Sequence, residues 1–273
     1  MLVCARCRRS RGAGNARSVG CNHQILSVAA GAIGSAPSTT IPQNSKGEKL
    51  SLGGPLLGSE LGQWDQVAGL GWFGYLGFDG QHLEKHVTGS FQYLLFWPDP
   101  GPMWKLIDFD FDRDSRRMGT MQAIYDASNP DLRAFKAKGG KLLVFHGLND
   151  AMVVPRQTID YYETVEHTMG GRTATQSFFR LFLLSGAGHV PGGEGADTVD
   201  YLSALEAWVE ENQAPDRLIA AHLKESARMQ PLSFPLDPAA IQFTRPVYPY
   251  PIRAQYKGRG DSNDAANFGP AGH

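Results

Sequence analysis

The sequence predicts an α/β fold built on a parallel strand–helix–strand–helix unit within residues 129–213, and three observations point to it. Two short apolar runs, Lys141–Gly147 (KLLVFHG) and Phe178–Leu184 (FFRLFLL), are bounded by glycine or serine, the signature of strands buried on both faces. Between them Ile159, Tyr162, Val165 and Met169 recur at steps of three and four, the period of an amphipathic helix. Each run gives way to a polar, glycine-containing loop and then to a second periodic stretch, the chain order of a βαβα unit.

The elements follow in order. Asn129-Pro130-Asp131-Leu132 reads as a helix start with Pro at the first helical position, and Gly139-Gly140 closes that helix before the first strand. Pro155 opens the second helix, which places Asp160, Glu163 and Glu166 away from the core and ends at Gly170-Gly171. The second strand runs into Ser-Gly-Ala-Gly-His. A third helix then carries Val199, Leu202, Leu205, Trp208 and Val209 on one face.

Two segments precede this unit. Residues 43–128 form an irregular, aromatic-rich region: 64–111 holds Trp64, Trp72, Trp97, Trp104 and eight further aromatic residues, interleaved with glycines so that no single period emerges. Such a segment serves either as a small satellite core or as a wall for flat aromatic ligands. Residues 1–42 are basic and irregular, with Arg6, Arg8, Arg9, Arg11 and Arg17 and no acid before residue 23. The apolar stretch 25–36 gives them the outline of a signal peptide, but the basic region is long and Gly31 and Gly34 break the apolar one, so a disordered tail is expected. Cys4, Cys7, Cys21 and His23 make a C-x2-C-x13-C-x-H string. No apolar periodicity flanks it to build a knuckle, so no metal is expected there.

Composition excludes several classes of function. With 42% hydrophobic and 19% charged residues the chain can build a core, so wholesale disorder is excluded. A net charge of −1 leaves no basic footprint for nucleic acid, and no uncharged apolar run approaches the roughly 18 residues of a membrane helix.

In a parallel sheet, functional side chains sit on loops beyond the carboxyl ends of strands. Asp150 lies three residues past the first strand and His189 five past the second, within a loop containing Gly186, Gly188, Gly192 and Gly193. An Asp after one strand and a His after the next is the chain order of the second half of an α/β-hydrolase triad, in which a carboxylate orients an imidazole that moves the nucleophile's proton. The alternative is an ordinary turn Asp and a solvated loop His. His146, inside the first strand, is expected to support the Asp150 loop by a hydrogen bond without acting in catalysis. Asp108, Asp110, Asp112 and Asp114 alternate with Phe109, Phe111 and Arg113. As a strand they would share one face, either binding a cation or, as expected here, pairing in solvent with Arg113, Arg116 and Arg117. His82, His86, His167 and His222 sit in polar contexts and read as surface residues.

The runs GGKLLVFHGLNDAMVVPRQTIDYYETV, FRLFLLSGAGHVPGG, LSALEAWVEENQAPDRLIA and TRPVYPYPIRAQYKGRGDSNDAANF, together with GPLLGSELGQW and NPDLRAFKAKGGK, resemble the C-terminal half of the tannase/feruloyl esterase family over about 46–268. The resemblance implies α/β-hydrolase serine esterases that act on aromatic (phenolic) esters. It implies a fold comprising the C-terminal part of an α/β-hydrolase parallel sheet, residues 129–273, behind a lid segment, residues 43–128. It implies Asp150 as triad acid and His189 as triad base, a small aromatic ester as the partner molecule, no cofactor, and a secreted or periplasmic location. The sequence departs from the family in three ways. It has no Gly-x-Ser-x-Gly or Gly-Cys-Ser elbow; Val190 replaces the Cys that follows the family's His; and the lid's calcium loop has no counterpart. Neither Ser90 nor Ser185 both follows a strand and opens a helix, as a nucleophile does. The expectation is therefore an esterase portion whose nucleophile is absent, with a non-catalytic fragment that at most binds phenolic ligands as the alternative.

Overall fold

The computed structural model of the chain describes residues 44–48, 88–105, 108–150, 153, 155–189, 193–228 and 233–271. Cys4, Cys7, Cys21, His23, His82, His86 and the aromatic residues of 64–78 lie outside them, as does the 1–42 segment. Seven α-helices are described: α1 Asp114–Arg117, α2 Gly119–Tyr125, α3 Arg133–Ala137, α4 Pro155–Thr168, α5 Arg172–Gln176, α6 Tyr201–Glu210 and α7 Glu225–Arg228. The strands are β1 Leu142–Gly147, β2 Phe179–Leu184, β3 Leu218–Leu223, β4 Ile241–Val247, β5 Ala254–Tyr256 and β6 Phe268–Pro270.

β1 and β2 pair in parallel from Leu142 opposite Phe179 to Gly147 opposite Leu184, with α4 as the crossover between them. Their side chains alternate between two cores, as the period-two geometry of a strand requires. Phe179 and Leu181 join Ile159, Tyr162 and Val165 of α4 on one face. Phe182 and Leu184 join Val199, Leu218, Ala220 and Val247 on the other, against which Leu143, Tyr201 and Ala204 also rest. Coverage of both faces explains why the two strands read as continuous apolar runs. β3 and β4 form an antiparallel pair, and the chain after β4 returns to the edge of β2, where the Tyr250 N–H donates to the Leu181 carbonyl at 2.8 Å. A short β5–β6 hairpin pair closes the C-terminal region.

Four expectations need correction. The first helix of the unit begins at Arg133, not at Pro130, because the Asn129 amide oxygen accepts the Asp131 N–H and the Asp131 carboxylate accepts the Arg133 N–H, which holds the entry in successive turns. Glu166 is buried and not on the solvent face of α4, since the Arg172 guanidinium reaches back to it at 3.1 Å. On α6 the inward face is Tyr201, Ala204, Leu205 and Trp208, whereas Leu202 and Val209 are exposed. His222 is half-buried, its Nδ1 2.7 Å from the Gly195 carbonyl and its ring stacked on Phe243.

The run from Asp108 to Asp114 is a turn leading into α1 and not a strand. Asp110 Oδ1 accepts the N–H groups of Asp112 and Arg113 there, so the four carboxylates share no face. Only Asp114 is buried, held by Arg113 and Arg117 at 2.8 and 3.2 Å. Beside it Phe91, Phe96, Trp104 and Phe109 pack ring to ring at 5.2–6.1 Å, with the Arg117 guanidinium 4.4 Å from the centre of the Phe96 ring. Among the described residues these four aromatic side chains form a satellite core. The Arg113 hydrogen bonds, opposed by burial and helped by the Asp110 N–H and Arg117, hold the Asp114 carboxyl at about 2. A carboxyl depressed below its unfolded value stabilises the fold fully above that value, and the stabilisation fades as pH falls. The aromatic core is expected to loosen between about pH 4 and pH 2, read as a change in Trp104 emission, and Asp114→Asn should remove that transition.

Candidate active site

The site is assembled where β1 and β2 end. The β1–β2 ladder continues past the strands: the Leu148 N–H donates to the Leu184 carbonyl and the Asn149 N–H to the Ala187 carbonyl, both at 2.9 Å. A tight turn then carries the Asp150 N–H to the Gly147 carbonyl at 3.1 Å. The two loops touch at Gly147, where a side chain would run into the carbonyl oxygens of Ala187 and Gly188. The His189 loop folds on itself through an antiparallel bridge between Ala187 and Gly193, with Gly186 at φ +77°, a conformation that glycine adopts without strain.

These constraints place Asp150, 4% exposed, beside His189, whose side chain is one-third exposed. The distance from His189 Nδ1 to Asp150 Oδ2 is 2.9 Å. With Nδ1–H donated to the carboxylate, Nε2 keeps its lone pair, the arrangement a general base requires. Asp150 Oδ1 accepts the Val153 N–H at 2.8 Å. His146 stands behind the carboxylate, its Nε2 3.3 Å from Asp150 Oδ2 and 2.8 Å from the Val153 carbonyl, and its Nδ1 2.7 Å from the Thr158 hydroxyl. The support expected of His146 thus takes the form of a contact to the Val153 peptide.

A cavity of about 260 Å³ adjoins the pair. Its wall includes Phe145 and Tyr201, whose rings stack at 3.9 Å and 9°, together with Asp197, Gly188 and Leu184. Asp197 is tied to Arg228 at 3.2 Å. Desolvation, with the nearby Asp197 charge, pushes the Tyr201 hydroxyl well above the ordinary phenol range. Tyr201, Asp197 and Thr158 carry no motif that marks them. They reach the site only because α6 and α4 cover opposite faces of β1. Ser90 precedes the helical turn Phe91–Leu95, and Ser185 lies in the turn after β2, so neither opens a helix from a strand end. Among the described residues no three His, Cys, Asp or Glu side chains are gathered to hold a metal ion, and no helix is long and apolar enough to cross a membrane.

A parallel pair of strands delivering an Asp and a His from successive carboxyl ends defines a fold of the α/β-hydrolase type. The family model for tannase and feruloyl esterase matches residues 8–271, and the chain belongs to that family. The match takes in most of 1–42, which the sequence motifs do not reach. Among relatives, the chain is 36% identical to mono(2-hydroxyethyl) terephthalate hydrolase of Piscinibacter sakaiensis, over 63% of this chain and 28% of that protein. It is 39% identical to a probable feruloyl esterase of Arthroderma benhamiae, over 68% of this chain and 31% of that one. The fold is similar to an esterase from Aspergillus oryzae, with TM-score 0.57 and 26% identity over 67% of this chain and 37% of the other. It is also similar to feruloyl esterase B from the same fungus, with TM-score 0.64 and 22% identity over 89% of this chain and 50% of the other. The chain spans about a third of the length of the curated relatives it matches.

Proposed function

We propose that these residues supply the acid–base half of a serine-type carboxylic ester hydrolase acting on aromatic esters. The observation that carries the reading is the 2.9 Å contact between His189 Nδ1 and Asp150 Oδ2 at the ends of adjacent parallel strands. In this mechanism His189 Nε2 takes the proton of an attacking serine hydroxyl and returns it to the departing alkoxide. The resulting acyl-enzyme is hydrolysed by water, which His189 activates in the same way. Asp150 fixes the imidazole tautomer and stabilises the imidazolium. The stacked Phe145 and Tyr201 rings beside the pair suit a flat acyl or alcohol group. The family relationship supports an ester as substrate and a secreted enzyme.

The 273 residues contain no Gly-x-Ser-x-Gly, so on this reading the nucleophile comes from outside them. The purified chain should hydrolyse methyl ferulate no faster than free imidazole does, and a serine-directed phosphonate should leave it unlabelled. A longer chain that adds the upstream segment with the serine elbow should be labelled and should turn over. Labelling of the 273-residue chain itself would overturn the assignment and make Ser185 and Ser90 the first positions to substitute. An inactive longer chain that still binds ferulate would favour the alternative of a phenolic-ligand binder, which the absent elbow motif supports.

A further inference from the structure

His146 is almost fully buried, at 8% exposure, yet it fills no apolar core and belongs to neither partner of the acid–base pair. Its surroundings settle which ring nitrogen donates toward Asp150. Nε2 faces two acceptors, the Val153 carbonyl at 2.8 Å and Asp150 Oδ2 at 3.3 Å, neither of which can donate when the carboxylate is ionised. Nε2 therefore carries the hydrogen. Nδ1 faces the Thr158 hydroxyl at 2.7 Å, a group that can donate to it. With Nε2 turned to the two acceptors, the Thr158 hydroxyl on α4 holds the other edge of the ring and fixes its orientation.

From this geometry we infer that His146 is a positioning residue for Asp150, and through it for His189; the inference rests on the acid–base reading of that pair. Two contacts of the carboxylate besides the one to His189 involve His146, one directly and one by way of Val153. The Nε2–H approaches Oδ2, the same oxygen that accepts from His189. It also holds the Val153 carbonyl, and the N–H of Val153 donates to Oδ1 at 2.8 Å. A carboxylate with both oxygens tied cannot rotate about its last side-chain bond, so Oδ2 stays aimed at His189 Nδ1. Without the imidazole, the Val153 carbonyl and a buried carboxylate oxygen each lose a donor, and Val153 loses the contact that sets its height against Asp150. The positioning runs Thr158 to His146 to Asp150 to His189, from the first turn of α4 to the exposed imidazole.

The test needs no nucleophile and uses the 273-residue chain. A short, charge-assisted Nδ1–H to carboxylate bond gives a far-downfield proton signal, assignable to His189 by nitrogen labelling of histidine and by its loss in His189→Gln. In His146→Leu that signal should disappear or move upfield while the methyl spectrum stays that of a folded chain. His146→Gln should restore it, because the Gln side-chain amide nitrogen can stand where Nε2 stands. Thr158→Val, which removes only the donor to Nδ1, should shift the signal in the same direction by less. A folded His146→Leu with an unchanged His189 signal would overturn the inference. If His146→Leu does not fold, Thr158→Val decides, and an unchanged signal there overturns it equally. Absence of any downfield His189 signal in the parent chain would instead overturn the acid–base pair itself.

Discussion

His189→Ala, placed in the longer chain that carries the nucleophile, is expected to lower kcat for methyl ferulate by about 10⁴- to 10⁶-fold, the range found when the base of such a triad is removed. The size follows from what the imidazole does. A serine hydroxyl at neutral pH is almost wholly protonated, so without a base at its side the attacking alkoxide is scarcely populated. No described group other than His189 presents a free lone pair from the carboxyl ends of β1 and β2: the Nε2 of His146 faces two acceptors and its Nδ1 is taken by Thr158. Asp150→Asn should fall short of this loss, by about 10⁴-fold, because it leaves the base in place but offers its Nδ1 a donor as readily as an acceptor. Both variants should leave KM nearly unchanged, since neither side chain binds the ground-state ester strongly. A kcat for His189→Ala within tenfold of the parent would show that another group takes the proton.

Trp208→Ala should cost about 3–5 kcal/mol of stability, the usual range for removing a buried Trp, and lower Tm by about 10 °C for a domain of this size. Trp208 is 1% exposed and fastens α6 across the entry ends of both parallel strands. The Lys141 ammonium lies 5.3 Å and the Arg180 guanidinium 5.4 Å from its ring, and Arg180 continues to Asp216 at 2.6 Å. α6 also brings Tyr201 to the cavity wall, so a loosened α6 should weaken binding of an aromatic ligand as well. Leu202→Ala and Val209→Ala are the controls: both side chains are exposed, and each should change stability by no more than about 0.5 kcal/mol. Denaturant midpoints with unchanged m-values would separate the two outcomes. A large loss for Leu202→Ala would mean that α6 sits with a different face inward.

The sequence alone determined the βαβα unit and marked Asp150 and His189 as candidates to meet, and the reason is local. Strands buried on both faces must be apolar throughout, helices between them must repeat at 3.6 residues, and parallel pairing places the ends of neighbouring strands side by side. Once KLLVFHG and FFRLFLL pair in parallel, the loops that carry Asp150 and His189 start side by side, and the contacts between those loops bring the two side chains together. Gly186 was legible as one of the glycines that a tight loop around the His demands, whereas the crowding at Gly147 shows only once the two loops touch. The tertiary structure decided what depends on groups distant in sequence. Asp114 looked like one of four equivalent carboxylates, but the Arg113 and Arg117 guanidinium groups converge on it alone. Glu166 sat on the polar side of a periodic helix, and only the turn through Gly170-Gly171 returns Arg172 to it. Leu202 and Trp208 both fell within one apolar stripe of α6, and which of them is buried depends on the roll of the helix over β1 and β2. The tie from Thr158 through His146 to Asp150 crosses from the first turn of α4 to the end of β1. Its His146 half was expected from the sequence, but nothing marks the Thr158 half, which exists only once the helix lies against the strand.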